Sequence, residues 1–431
     1  MLENMRFVMG YPKKTDCCFD PFRDYCKVKV LLIFLIFNFW VSFSYSQSEN
    51  DTLLPASRLQ NIILPNTLGN HPFGIYISRI SHNFQKTAAK RPSFTFNYSN
   101  GNVWAPYVKA YVPHSETYSN ELNQYEWHDK ERVYDKSVPA ESYFLHADAI
   151  YRVYQFKFEL PLPKNQELRI NARAYSIDEG YAPYSMITSD EFIEWFHSNV
   201  AGGEDPFDRR LYGLNQVDVR YSDINGKAFS LYSGDGGLNG LEAAYYIYPQ
   251  WGFLKKNLVY TNFGTQLGLN TSFVNPTWDW GLMSTIGKSF PFKDRFEFNL
   301  SLSLGALRQD FARYNDGYVI ASSPWLLSND LMLSFGMFTK KGGHLLFATT
   351  WWRQSPFHAE SNFDKIVVTG PRVSPHWHTT LTHMYRVISA NNFIFTYSKS
   401  FYAISIYLRE DFKVDNAPDG QTGIEIKVFI L

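Results

Sequence analysis

Along residues 296–306 the chain alternates without a break: Phe296, Phe298, Leu300, Leu302, Leu304 and Ala306 are separated by Glu297, Asn299, Ser301, Ser303 and Gly305. Successive side chains of a β-strand point to opposite faces, so this stretch makes one hydrocarbon face and one face of small polar groups. The pattern recurs at Tyr154, Phe156, Phe158 and Leu160 against Gln155, Lys157 and Glu159. It recurs again at Leu168, Ile170, Ala172 and Ala174 against Arg169, Asn171 and Arg173, and at Ile424, Ile426, Val428 and Ile430 against Glu425 and Lys427. Alternation alone does not say whether the apolar face meets a core or lipid. Length and spacing decide it. The strands run to about 9 to 14 residues, which suits tilted membrane strands better than the roughly 5 or 6 of soluble sheets. The connections also alternate in length, with short turns at 161–165, 225–226, 252–257, 291–294, 340–343 and 390–392, and longer polar stretches at 113–141, 177–213, 310–328, 354–376 and 411–421. Short turns on one side and long loops on the other are the sidedness of a barrel that crosses an outer membrane.

Tracing this up and down predicts strands near 73–84, 92–99, 103–112, 142–160, 166–176, 214–223, 227–233, 239–251, 258–271, 279–289, 295–309, 329–338, 344–353, 377–388, 393–410 and 422–431. The fold class is therefore all-β, an antiparallel up-and-down transmembrane β-barrel of about 16 strands (12 to 16), with one short helix in a long loop. Asn225-Gly226 predicts a type I′ hairpin turn, in which both positions take positive φ. No internal repeat is apparent, which argues against a solenoid or propeller.

Composition sharpens this. The 431 residues hold 36 Phe, 29 Tyr and 11 Trp, and aromatics make 18% of the chain against 19% charged. Rings cluster at predicted strand ends (Trp104 and Tyr107; Tyr245, Tyr246, Tyr248 and Trp251; Trp278 and Trp280; Trp351 and Trp352; Trp377 and Tyr385), as the two aromatic girdles of a membrane barrel would require. Lys plus Arg equals Asp plus Glu at 41 each, so no basic surface offers itself to nucleic acid. Residues 30–43 form the one hydrophobic block, about 14 apolar positions against the roughly 20 a spanning helix needs. Lys27 and Lys29 precede it and Ser44-Tyr45-Ser46-Gln47 follows. It reads as a secretory signal cleaved near Ser46/Gln47. The three cysteines, Cys17, Cys18 and Cys26, all lie ahead of it, so the rest of the chain has no disulfide or thiol-metal framework. The predicted organisation is an N-terminal extension and signal peptide over 1–46, a periplasmic lead-in or partial plug over 47–71, and a barrel over 72–431.

One segment departs from the β pattern. Residues 188–199 carry Thr188 or Ser189 as N-cap, acids in the first turn, and Phe192, Trp195 and Phe196 on one helical face. Downstream lie Glu204, Asp205, Asp208, Arg209 and Arg210. The segment reads either as a loop helix that shields the rim or as a constriction or lid: folded into the barrel mouth, its rings on the inner wall, it would set those charges as a transverse field on a solute. The same acids lack the spacing of a calcium loop. His376 and His378 share one strand face but lack an obvious third metal ligand. His383 with Ser389 or Thr382 could be paired only by proximity in sequence, which says nothing of geometry. The 233–240 run, Ser-Gly-Asp-Gly-Gly-Leu-Asn-Gly, lacks the pattern of a phosphate loop. No catalytic, metal or cofactor residues are assigned.

The stretches Glu191-Phe-Ile-Glu-Trp-Phe-His197, Asp208-Arg-Arg210 and Ser233-Gly-Asp-Gly-Gly-Leu238 resemble an uncharacterised family of Gram-negative outer-membrane, porin-like β-barrel proteins, a domain of unknown function. The resemblance spans roughly 55–431 and implies a barrel in the outer membrane with no assigned substrate. One departure is the C-terminus, where Leu431 stands in place of the usual lipid-facing aromatic and Phe429 has the opposite parity to Val428. The expected function is a passive or solute-selective channel with an unknown small solute. The alternatives are a barrel enzyme acting on membrane lipid and a structural, plugged barrel. The expected partners are outer-membrane lipid and the barrel-assembly machinery, with no nucleic acid and no cofactor.

Overall fold

The alternating segments build fourteen strands: β1 (Ser93–Pro113), β2 (Ala140–Leu162), β3 (Gln166–Asp178), β4 (Asp218–Ser222), β5 (Ala228–Leu231), β6 (Gly236–Ile247), β7 (Val259–Asn270), β8 (Thr277–Phe292), β9 (Phe296–Arg313), β10 (Trp325–Phe338), β11 (His344–Gln354), β12 (Ile388–Lys399), β13 (Tyr402–Glu410) and β14 (Gly420–Phe429). The computed structural model describes residues 72–113, 140–180, 185, 187–200, 214–340, 342–359, 387–410 and 420–430, with side chains except at 104–113, 140–143, 197 and 294. From β6 to β14 every strand pairs antiparallel with its chain neighbour, β3 pairs with β6 and with β2, and β1 pairs with both β2 and β14. That last pairing closes a ring of twelve strands. β4 and β5 form a hairpin outside the ring, joined to residues 144–148 of β2.

The difference from sixteen strands has four sources. Residues 73–84 form no strand; Pro72–Tyr76 is a 3-10 turn and the chain after it runs inside the barrel. Segments 92–99 and 103–112 are one strand, because Gly101 at their junction pairs with Tyr151 on one side and Gln421 on the other. Segment 393–410 is two strands, while the turn expected at 390–392 lies inside β12, where Ala390 faces Trp352. Residues 377–386 lie outside the described residues. The hairpin at 225–226 also differs in kind: only Gly226 has positive φ (76°). Asp223 pairs its N–H with Lys227 O at 2.9 Å, and its Oδ1 accepts from the Asn225 and Lys227 amides at 2.9 Å, making a three-residue loop rather than a type I′ turn.

Five short connections, at 163–165, 248–258, 293–295, 339–343 and 400–401, share one end of the ring with the start of β1 and the finish of β14. The ring's other connections, six residues at 271–276 and longer elsewhere, share the other. The faces divide as the alternation requires: Leu302 and Leu304 are exposed outward, while Asn299, Ser301 and Ser303 are buried inward. At the long-loop end the outward face carries Tyr98 against Tyr154 (centroids 5.4 Å apart) and Trp280 against Trp325 (6.4 Å). Just beyond Tyr98 it turns polar, with Asn100 and an Arg152–Asp178 ion pair at 2.9 Å. At the short-turn end Trp251 stacks on Phe253 (6.1 Å) and Phe401 meets Tyr402 (5.1 Å). Tyr246, Tyr248 and Trp352 are not part of these girdles; they face inward and are buried. Among the described residues no helix is long and apolar enough to cross a membrane.

Candidate functional site

The lumen is filled by the chain itself. Phe73 begins at the long-loop end, edge-on to Tyr221 (4.6 Å) and Phe229 (5.3 Å) of the β4–β5 hairpin. From there the segment descends past the middles of β7 to β10, and it joins β1 at the short-turn end, where the Ala89 amide donates to Glu167 (2.7 Å). An extended strand without sheet partners leaves its N–H and C=O groups unpaired, and burial makes each of them costly. Inward side chains of the wall supply the partners. Arg173 Nη1 donates to Ile75 O (2.7 Å) and Asn275 Nδ2 to Tyr76 O (2.9 Å). Gln266 accepts from the Ser81 amide (3.3 Å) and donates to Arg79 O (2.8 Å). Asn262 donates to Asn83 O (2.8 Å) and Gln85 O (3.0 Å), and Tyr246 OH to Ser81 O (2.8 Å). The His82 ring bridges Ser303 (2.8 Å) and Ser328 (3.0 Å). Ser78 donates from its amide to Asp279 (3.0 Å) and from its hydroxyl to Asn270 (3.0 Å).

Shape matches as well as polarity. Gly268, Gly281 and Gly305 face inward where the segment comes closest. A Cβ at Gly268 would lie 2.0 Å from Ser78 Oγ, and one at Gly305 would lie 2.6 Å from Ile80 Cγ2. The glycines form a slot for these two side chains.

The buried wall carries charge. Lys157, Arg169 and Lys427 share one side with Glu159, Glu167 and Glu425: Lys427 pairs closely with Glu159, and Arg169 Nε lies 2.5 Å from Glu167 and 3.5 Å from Glu159. Arg173 pairs with Glu242 at 2.8 Å. Asp279, Glu297 and Asp330 stand on β8, β9 and β10, with Arg409 on β13. The threaded segment adds Lys86, closely paired with Glu297, and Arg79, whose guanidinium lies 4.1 Å over the Trp352 ring. Between segment and wall lies a cavity of about 50 Å³, bordered by Arg79, Ser81, Lys157, Arg169, Arg173 and Glu242. That is room for a few ordered waters.

The predicted helix is present as α1 (Asp190–Asn199), with Ser189 as N-cap accepting from the Phe192 amide at 3.2 Å. It does not fold into the barrel mouth. Asp190 Oδ1 accepts from Asn102 Nδ2 (2.7 Å) and Thr188 Oγ1 donates to Asn100 (2.7 Å). Asn100 and Asn102 share the parity of the outward-facing Phe94, so the helix start rests on the outer side of β1, beyond the Tyr98 level. Its buried residues are Asp190, Ile193 and Glu194, while Trp195 (55%) and Phe196 (41%) are exposed rather than packed on the inner wall. Glu204, Asp205, Asp208, Arg209 and Arg210 lie outside the described residues, as do His376, His378 and His383. The segment's lumen groups, Arg79, His82 and Lys86, escaped sequence reasoning because Phe73, Ile75 and Ile77 alternate as a strand does. The inward glycines opposite them were the available signal.

No protein-family model matches the chain, and no curated protein matches it. Solved structures with a similar trace include an outer membrane channel from Pseudomonas putida F1, at 8% identity and a TM-score of 0.37, covering 80% of this chain and 98% of that one. Others are the NanC porin (9% identity, TM-score 0.31, 65% and 94% covered) and an anion-selective porin from Comamonas acidovorans (9%, 0.22, 79% and 100%). At such scores the reading of the barrel rests on its own geometry.

Proposed function

We propose that the chain is an outer-membrane β-barrel of a Gram-negative bacterium, exported with its signal removed near Ser46/Gln47, and that it acts as a channel for a small solute. Residues 72–92 shut it in the state described above. A closed ring with an outward apolar band between aromatic levels is one of the two structures that satisfy every backbone group in lipid. One observation carries the channel reading: the inner wall of β6 to β9 is rich in polar groups, and Tyr246, Asn262, Gln266 and Ser303 there bond to a single extended segment. A wall of that kind takes water when the segment leaves.

The test is a reversible lock. Cysteines replacing Ser78 and Asn270, whose side chains already meet at 3.0 Å, would tie segment to wall, and the native cysteines precede the predicted cleavage point. In planar bilayers the oxidised protein should be silent and the reduced protein should open. Conductance indifferent to the lock would show that the segment is not the gate, and silence under both conditions would leave a permanently closed structural barrel.

A further inference from the structure

We infer that the lumen, once vacated, selects cations, and that Arg79 and Lys86 hold the places of the positively charged groups it passes. This rests on the channel reading and adds its ionic class. Among the described residues the wall sets five buried cations (Lys157, Arg169, Arg173, Arg409 and Lys427) against seven buried carboxylates (Glu159, Glu167, Glu242, Asp279, Glu297, Asp330 and Glu425), an excess of two negative charges. The side formed by β2, β3 and β14 is balanced within itself, and Arg173 accounts for Glu242. The surplus falls on three adjacent strands, β8, β9 and β10, which bring Asp279, Glu297 and Asp330 against Arg409 of β13. Each of these meets the threaded segment: Asp279 takes the Ser78 amide, Glu297 pairs with Lys86, and Asp330 stands across the ladder from Trp352, over whose ring the Arg79 guanidinium lies at 4.1 Å.

Spacing supports the substitution. Asp330 pairs across the ladder with Ser303, six residues along β9 from Glu297, or about 20 Å of strand. Arg79 and Lys86 are seven residues apart on an extended segment, a reach of at most about 23 Å. The two cations are thus placed as the two carboxylates are. Withdrawing the segment removes both positive charges, fills the lumen with water and leaves a file of carboxylates from Asp279 near the long-loop end to Glu297 near the short-turn end. Such a file attracts cations and repels anions.

The full chain carrying Arg79→Gln and Lys86→Gln keeps the wall intact while loosening the latch, and Lys86→Gln alone is the milder form. Folding of each is checked by heat-modifiable migration on gels. In a KCl gradient the double variant should open more often than the unsubstituted protein, with a K⁺ to Cl⁻ permeability ratio of about ten, the low end of what a one-signed cleft gives. Adding Asp279→Asn, Glu297→Gln and Asp330→Asn should bring the ratio close to one. A conducting double variant with no preference, or a preference for Cl⁻, would overturn the inference and leave the channel reading standing. Silence of the folded variants would overturn both.

Discussion

A single methyl group on the wall should open the barrel. Gly305 lies on β9 facing inward, and a Cβ built there would stand 2.6 Å from Ile80 Cγ2, 3.3 Å from Ile80 Cβ and 3.1 Å from Ser328 Oγ. Ile80 is β-branched and stiff at χ1, so it cannot swing its Cγ2 aside and the segment backbone has to move. Overpacking of this kind costs about 1–3 kcal/mol. With tenfold in equilibrium for each 1.4 kcal/mol, Gly305→Ala should shift the docking of the segment about 5- to 150-fold toward release. The barrel itself keeps its ladder, since Gly305 pairs through backbone with Ser328 and Met283. Open probability of single channels in planar bilayers reads the shift directly. Ile80→Ala supplies the control: it loosens the segment by its own loss of burial, but it also removes the colliding methyl. Gly305→Ala should therefore add little in that background. An unchanged open probability, or an equal increment with and without Ile80, would refute the steric account.

Two further outcomes test how the barrel sits. Leu302 is 39% exposed, between Ile286 and Leu331 on the outer face, so Leu302→Arg should cost about 2–4 kcal/mol in urea unfolding from vesicles; a change within error would move the lipid boundary away from it. Because Phe73 is anchored at the long-loop end and Ser93 opens β1 at the short-turn end, an epitope inserted immediately ahead of Pro72 should be labelled by antibody on intact cells, and labelling only after outer-membrane permeabilisation would reverse the threading or the sidedness.

The barrel was legible because period two is a strong signal where one face meets lipid and the other does not. The outward and inward sets of β9, β2, β3 and β14 fall as the alternation predicts, and the short turns at 161–165, 291–294 and 340–343 lie where the apolar rhythm stops. Strand count was less legible for a local reason. In 393–410 the outward residues change parity, from Phe393 and Phe395 to Ile404, Ile406 and Leu408; that one-residue slip marks the turn at 400–401 that a merged strand conceals. Ser99-Asn100-Gly101-Asn102 carries turn residues yet stays in strand, Ser99 to Gly101 paired on both sides, and Asn100 and Asn102 hold Thr188 and Asp190 at the foot of α1. Helix α1 itself was readable from its cap and periodicity, but not its seat. A ring-bearing face suggests burial, whereas the polar residues Asp190 and Glu194 are the ones that turn inward to the protein.

Alternation says nothing about what occupies the lumen, and there the reading from sequence failed for a physical reason. A Ser, Asn or Gln facing inward satisfies its hydrogen bonds equally well with water or with the backbone of another segment, so the wall pattern of an open pore and of a filled one is the same. What distinguishes them is complementarity between distant stretches. The filled barrel needs bare glycines opposite the bulk of the segment, as Gly268 and Gly305 are opposite Ser78 and Ile80, and it needs wall charge that is incomplete without the segment. Ser301 shows the consequence. Sequence alone places it against water, where an arginine would be mild; in the structure its Oγ lies 2.5 Å from Tyr260 OH and its side chain is 1% exposed. An arginine there has no water to reach unless residues 72–92 depart. The polar inner face is thus an adhesive surface, and the segment it binds makes the barrel interior a packed core.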